Sequence, residues 1–237
     1  MPESSAIREM FEGVAPRYDL LNRVLSLGID RGWRRRVVES LELRPEHRVL
    51  DLCCGTGDLA LEIAQWASCT GCDFTWNMLT RARQKSKSAN RPVALTCADA
   101  LELPFAGELF DRATIAFGIR NLESMTAGLA EIRRVLKPEG RLAILEFSQP
   151  NRGWLKLPYR LYLDRLLPAV GGLLSRKEAY RYLAESIQGF PVPEVLSALL
   201  EDAGFSEPRY SRLSGGIVAL HVAEKRRSAA SRRPSVA

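Results

Sequence analysis

Arg48-Val-Leu-Asp-Leu-Cys-Cys-Gly-Thr-Gly-Asp58 decides the fold of this 237-residue chain. An apolar strand ends in a carboxylate, Asp51, and a tight glycine turn then opens a helix. Gly55 and Gly57 carry no side chain and tolerate positive φ, so this backbone can approach a bound nucleoside closely. Gly55-x-Gly57-x-x-Ala60, with Asp73 roughly 20 residues on, fits the dinucleotide fingerprint. The position of Asp51 points elsewhere. A pyrophosphate would bring two negative charges close to that carboxylate, whereas a cationic ligand with an amino-acid tail would gain from it. S-adenosyl-L-methionine carries a sulfonium and an ammonium, so it suits the site better than NAD, which stays as the alternative.

Outward from the loop, strand-like and helix-like segments alternate from Arg48 to Phe147. This alternation predicts a doubly wound α/β fold, a mostly parallel sheet with helices on both faces. Strands are expected at 48–52, 69–73, 93–97, 113–117 and 141–147, with helices over 58–67, 76–89 and 124–136. A helix over 193–203 and strands at 208–212 and 216–224 close the chain. In an open sheet of this kind ligands bind beyond the carboxyl ends of the strands. Asp51, Asp73, Asp99 and Phe117-Gly118 all stand at strand ends and should converge on one crevice. The organisation expected is a single domain over 1–224. It comprises a helical N-terminal lid at 1–47, a donor-binding core at 48–147, a helical insert at 148–190, and a closing helix and strands at 191–224.

Composition bounds the partners. The chain is 46% apolar, enough for one sizeable core, and its net charge is +6. Five of the basic residues (Lys225, Arg226, Arg227, Arg232 and Arg233) lie in a segment, 225–237, that holds no acid, which leaves the rest nearly neutral. That segment reads as a disordered basic tail, not as a nucleic-acid-binding face. Attraction to an anionic membrane surface is a second use for it. No signal peptide heads the chain and no run of 18 apolar residues exists, so a cytoplasmic protein is expected. The five cysteines read as reduced thiols. No metal site is expected, because Cys69 and Cys72, three apart on a strand, point to opposite faces. His47 and His221 read as structural.

Beyond the glycine loop, Tyr18-Asp-Leu-Leu-Asn-Arg-Val-Leu-Ser-Leu-Gly-Ile-Asp-Arg-Gly-Trp33, Phe117-Gly-Ile-Arg-Asn121, Arg134-Val-Leu-Lys-Pro-Glu-Gly-Arg-Leu-Ala-Ile-Leu-Glu-Phe-Ser148 and Ala179-Tyr-Arg-Tyr-Leu-Ala-Glu-Ser-Ile187 carry a further signal. On these segments the chain strongly resembles the ubiquinone/menaquinone biosynthesis C-methyltransferases, over roughly residues 7–224. The resemblance implies a class I S-adenosylmethionine-dependent methyltransferase fold, and methylation of a ring carbon of a lipid quinol. It implies donor contacts at Thr56, Asp73, Asp99 and Ala100, alongside Asp51, Gly55 and Gly57 of the loop itself. Asp73 can accept both ribose hydroxyls, and Asp99 can accept from the adenine amine while Ala100 offers a backbone N–H. Asp51 has a rival role as a buttress of the loop, and Asp73 and Asp99 as turn or cap residues. The chain departs from the family where Cys53 and Cys54 replace glycine or alanine, Asp30 replaces histidine, Ala116 replaces serine and Glu139 replaces a turn glycine.

Methyl transfer to carbon needs an electron-rich ring, so the expected acceptor is the reduced quinol. Arg120, just past strand four, is the residue expected to stabilise a developing phenolate or to hold a water that takes the proton. A guanidinium donates hydrogen bonds and is not itself a base. Its rival role is an ion pair with Glu123. Asn121 is expected to orient the same hydroxyl, and Tyr18 with Asp19 to form a lid or simply to pack. Trp33 reads as core. The insert 148–190 holds seven Arg/Lys against three acids among many leucines and tyrosines. It suits a lipid tail or transient membrane-surface contact, or else forms an ordinary helical cap. Demethylmenaquinol is the favoured acceptor. A benzoquinol precursor of ubiquinol, a soluble small-molecule acceptor, an NAD-dependent oxidoreductase and a non-catalytic accessory protein remain open.

Overall fold

A computed structural model describes residues 10, 12–13, 18–150, 152–166 and 177–227. Two helices precede the sheet, α1 (Tyr18–Leu25) and α2 (Asp30–Ser40). The predicted alternation then appears as β1 (Arg48–Leu52), α3 (Asp58–Ile63), β2 (Ser68–Asp73), α4 (Trp76–Ser88), β3 (Ala94–Cys97), β4 (Phe110–Ala116), α5 (Met125–Val135) and β5 (Leu136–Phe147). After it come α6 (Gly153–Leu161), a π turn (Tyr162–Leu166), α7 (Lys177–Gln188), α8 (Pro193–Asp202), β6 (Phe205–Leu213) and β7 (Val218–Lys225). The sequence-predicted tail lies outside the described residues beyond 227, as does part of the insert (167–176).

The seven strands run in the order β3-β2-β1-β4-β5-β7-β6. The first five are mutually parallel, and β7 is antiparallel to both its neighbours. Helices cover both faces, so the central strands read as continuous apolar runs. Leu142 to Glu146 of β5 are all buried. Alternate strand residues feed opposite layers. Leu50, Leu52, Ile115 and Ile144 pack with Ile132, Leu196 and Phe205, whereas Val49, Ala143 and Leu145 pack with Val37, Ile63 and Leu220 on the other side. Strand order reverses between β1 and β4, so the carboxyl ends of these two strands form the switch point where such sheets open a crevice.

Several boundaries differ from the sequence reading for local reasons. α3 stops at Ile63 instead of Ala67, because Gln65 and Trp66 bond three residues back, to Glu62 and Ile63, tightening the last turn. β5 starts at Leu136, pairing with Phe110 before the register shifts. β4 ends a residue early because Phe117 turns into the left-handed region at φ 57°. The α5 boundary is fixed by Ser124, whose side chain caps the N–H of Ala127 at 3.2 Å. Among the described residues no helix is long and apolar enough to cross a membrane.

Candidate active site

At the carboxyl ends of β1, β2, β3 and β4 lies a small crevice of about 70 Å³. Asp73, the last residue of β2, organises it. One carboxylate oxygen accepts from the N–H of Gly55 at 2.8 Å, the other from the N–H of Thr75 at 2.8 Å. Each oxygen keeps a lone pair for a ligand. Burial pushes the Asp73 carboxyl above the ordinary aspartate range, opposed by these two bonds. Asp99 is exposed on the crevice wall, with one oxygen accepting from the N–H of Leu101 at 2.9 Å. Tyr18, Gly55, Ala100, Phe117 and Asn121 complete much of the lining. The ring of Tyr18 lies over the glycine loop, with its Cε1 3.8 Å from where a Cβ on Gly55 would stand. Among the described residues the lining includes three acids, Asp73, Asp99 and Glu123, and no Lys or Arg. Such a wall attracts a cation and repels a pyrophosphate.

The structure places the other sequence-predicted donor residues behind this wall. Asp51 is buried beneath the loop, where one oxygen accepts from the Thr114 hydroxyl at 2.7 Å and the other has no hydrogen-bond partner among the described residues. Burial, with Asp73 nearby, pushes its carboxyl up to about 7. Thr56 is buried too, its hydroxyl donating to Asp19 at 2.5 Å and accepting from Lys85 at 2.9 Å. Gly57, at φ 83°, is the turn that starts α3. Lys85 also meets Asp19 and Asp58, each at 2.6 Å, and Arg34 pairs with Asp30 and, at 3.3 Å, with Asp58. This network ties α1 and α2 to the glycine loop. It also gives Asp30 a partner, which the sequence left without one.

A second, larger cavity of about 390 Å³ shares Tyr18 and Phe117 with the crevice. Its walls are mostly apolar, including Leu27, Ile29, Trp33, Phe117, Phe147, Leu155, Tyr159, Leu163 and Ile187. Trp33 belongs to the core, as read, and also faces this space, with its indole N–H donating to Ser214 at 2.9 Å. Two cations, Arg34 and Arg120, are among the cavity's described lining residues, Arg34 being held by Asp30 and Asp58. The ion partner of Arg120 is Glu146 at 2.8 Å, with the side chains 7% and 1% exposed. The Glu123 pairing weighed from sequence is not the one observed for Arg120. Arg120 also donates to the Phe117 carbonyl at 2.6 Å and lies over the Phe147 ring at 5.4 Å. Burial raises the Glu146 carboxyl, and Arg120 pulls it back. Arg120 Nε, Glu146 Oε2 and the Tyr159 hydroxyl are buried without a hydrogen-bond partner among the described residues. Asn121 accepts from Tyr182 at 3.0 Å. Sequence reading passed over Glu146, Tyr159 and Tyr182. The signal for Glu146 was there, as a lone carboxylate ending the apolar run Leu142–Leu145. The two tyrosines gave none, because only folding brings the insert over the sheet.

Cys53, where the resembled family has a small residue, stands at φ 51° and packs on Gly118. A Cβ on Gly118 would overlap the Cys53 Cβ and lie 2.9 Å from its sulfur. Gly118→Ala is therefore expected to cost about 1–3 kcal/mol. Adding Cys53→Gly should recover most of it, since that change removes both the clash and a left-handed non-glycine residue. Chemical denaturation of the two single variants and the double variant checks this; equal loss in Gly118→Ala and the double variant would rule it out.

Residues 2–225 match the model of the ubiE/COQ5 methyltransferase family. A demethylmenaquinone methyltransferase of Thermus thermophilus is 50% identical over 91% of this chain and all of its own length. A ubiquinone/menaquinone biosynthesis C-methyltransferase UbiE of Citrifermentans bemidjiense is 46% identical over 92% of this chain and 96% of its own. Among solved structures, a SAM-dependent methyltransferase from Aquifex aeolicus superposes with a TM-score of 0.58 at 19% identity, covering 81% of this chain and 88% of that one. At that identity the superposition speaks for the fold alone.

Proposed function

The chain belongs to the ubiE/COQ5 methyltransferase family and is an S-adenosylmethionine-dependent methyltransferase, and we propose that it methylates a ring carbon of a prenylated quinol, with demethylmenaquinol as the acceptor. One observation supports this most: an acid-lined crevice opens beside an apolar cavity of about 390 Å³, and both are bounded by Tyr18 and Phe117. The crevice suits the donor, because Asp73 and Asp99 keep acceptor capacity and no cation lines it among the described residues. Asp51, buried just beneath, has its carboxyl raised to about 7 by burial, and a bound cation would favour its charged form. The donor, when bound, supplies an electrophilic methyl group on sulfur.

In this reading the protein's own residues do three things. Asp73 and Asp99 fix the donor's ribose and adenine, and Tyr18 on α1 closes over them as part of an N-terminal lid held by the Asp19, Thr56 and Lys85 contacts. The aromatic wall of Trp33, Phe117 and Phe147 confines the acceptor ring. Its rings lie 6.0 and 4.7 Å apart. Orientation of this kind contributes up to about 7–11 kcal/mol to a two-reactant step. Arg120 faces the acceptor cavity and stabilises the phenolate that forms as a quinol hydroxyl loses its proton. Glu146 and the Phe117 carbonyl hold the guanidinium in place, and Asn121, which lines the donor crevice, holds the hydroxyl of Tyr182 on the acceptor side.

Calorimetry and mass spectrometry test the assignment. S-adenosylhomocysteine is expected to bind and NADH not to. Incubation with a deuteromethyl donor and demethylmenaquinol should add one labelled methyl to the quinol. A higher kcat/KM for a benzoquinol precursor would replace the acceptor, and binding of NADH alone would overturn the donor site.

A further inference from the structure

We propose that the mouth of the apolar cavity is a docking surface for an anionic lipid bilayer, an inference that rests on the quinol reading of that cavity and says how the acceptor reaches it. Two elements form the mouth, the turn between α1 and α2 and the helix α6. Leu27 in that turn is 85% exposed although its backbone is held in the left-handed region, at φ 52°. Ile29 beside it is exposed as well, and both line the cavity.

On α6 the nine residues Gly153–Leu161 divide into three stripes. Leu155, Pro158 and Tyr159 face the cavity. Trp154, Leu157 and Leu161, spaced i, i+3 and i+7, point away from it, with Trp154 70% and Leu157 66% exposed. Lys156 and Arg160, preceded by Arg152, make up the third stripe and are exposed. Arg152 and Lys156 form no ion pair among the described residues, nor do Arg23 and Arg31, the exposed cations flanking the Leu27 turn. Large apolar side chains left in water beside unpaired cations are the pattern of a helix lying in a bilayer interface, where the rings and leucines sink between acyl chains and the cations meet phosphate. A second protein surface would cover the apolar stripe equally well, but the unpaired cations beside it favour an anionic one.

The test uses the full chain in flotation with vesicles of phosphatidylcholine alone and of phosphatidylcholine with phosphatidylglycerol. The wild type should float with the anionic vesicles, weakly with the neutral ones, and less as salt rises. Trp154→Ser/Leu157→Ser should bind at least about tenfold more weakly, and Arg152→Ser/Lys156→Ser should lose its preference for the anionic vesicles. Both pairs lie outside the cavity lining, so turnover of a water-soluble quinol with a truncated prenyl chain should stay at the wild-type rate. The proposal is overturned if the wild type does not float with anionic vesicles, or if the apolar double variant floats equally well. It is also overturned if sedimentation velocity shows a wild-type dimer that this variant splits, which would assign the stripe to a second copy. Failure of the truncated quinol to be methylated while vesicle binding stands would remove the acceptor reading and leave the surface in place.

Discussion

Arg120→Ala is expected to lower turnover about 10²–10³-fold while leaving S-adenosylhomocysteine affinity within about twofold of wild type. The guanidinium lines the acceptor cavity and not the acid-lined crevice, so the two readouts separate. The substitution also strips a buried carboxylate of its partner, which by itself costs about 3–5 kcal/mol when the charge is retained. Glu146 can escape part of that cost by binding a proton, since burial already raises its carboxyl. A second variant keeps the reading clean. Arg120→Ala/Glu146→Gln removes both charges and should recover thermal stability without recovering turnover. Recovered turnover in the double variant would mean that Arg120 matters only as a structural counter-ion. Normal turnover in Arg120→Ala would remove it from the acceptor site altogether.

Asp73→Ala should weaken donor binding by about a hundredfold or more, because hydrogen bonds to a charged acceptor contribute about 1.5–3 kcal/mol each. Two effects add. The ribose loses its acceptor, and the N–H groups of Gly55 and Thr75 lose theirs, so the glycine loop and the start of α4 are released. Asp73→Asn is expected to fare little better. Its single carbonyl oxygen can meet one of the two N–H groups, and its amide then points two donors at the other. Calorimetry with S-adenosylhomocysteine reads the affinity, and kcat at saturating donor should fall far less than affinity does. A kcat loss with unchanged affinity would move Asp73 from the donor to the chemistry.

The parts of the site legible in the sequence are those carried by a single strand end. Asp73 and Asp99 could be assigned to one crevice because a parallel sheet puts every carboxyl end on the same edge. The glycine spacing marked which edge. Asp51 shows where that logic stops. Two residues further along β1 the chain reaches the loop, but Asp51 itself points into the layer beneath, to Thr114. Thr56, a donor contact implied by the family resemblance, has its hydroxyl engaged by Asp19 and Lys85, partners 37 and 29 positions away. No local pattern encodes such a pairing.

What the chain's order of residues determined by itself was the alternation of apolar runs and amphipathic stretches, the glycine turn and the family. These follow from side-chain periodicity and backbone freedom, which are properties of a few consecutive residues. Tertiary structure alone decided that Arg120 pairs with Glu146 across two neighbouring strand ends. It also decided that the Tyr18 ring lies over Gly55 of the glycine loop, and that α6 lines one cavity while turning Trp154 and Leu157 to water. Those outcomes depend on which distant surfaces meet once the two faces of the sheet are covered, and burial energy acts on the assembled layers and not on the segments.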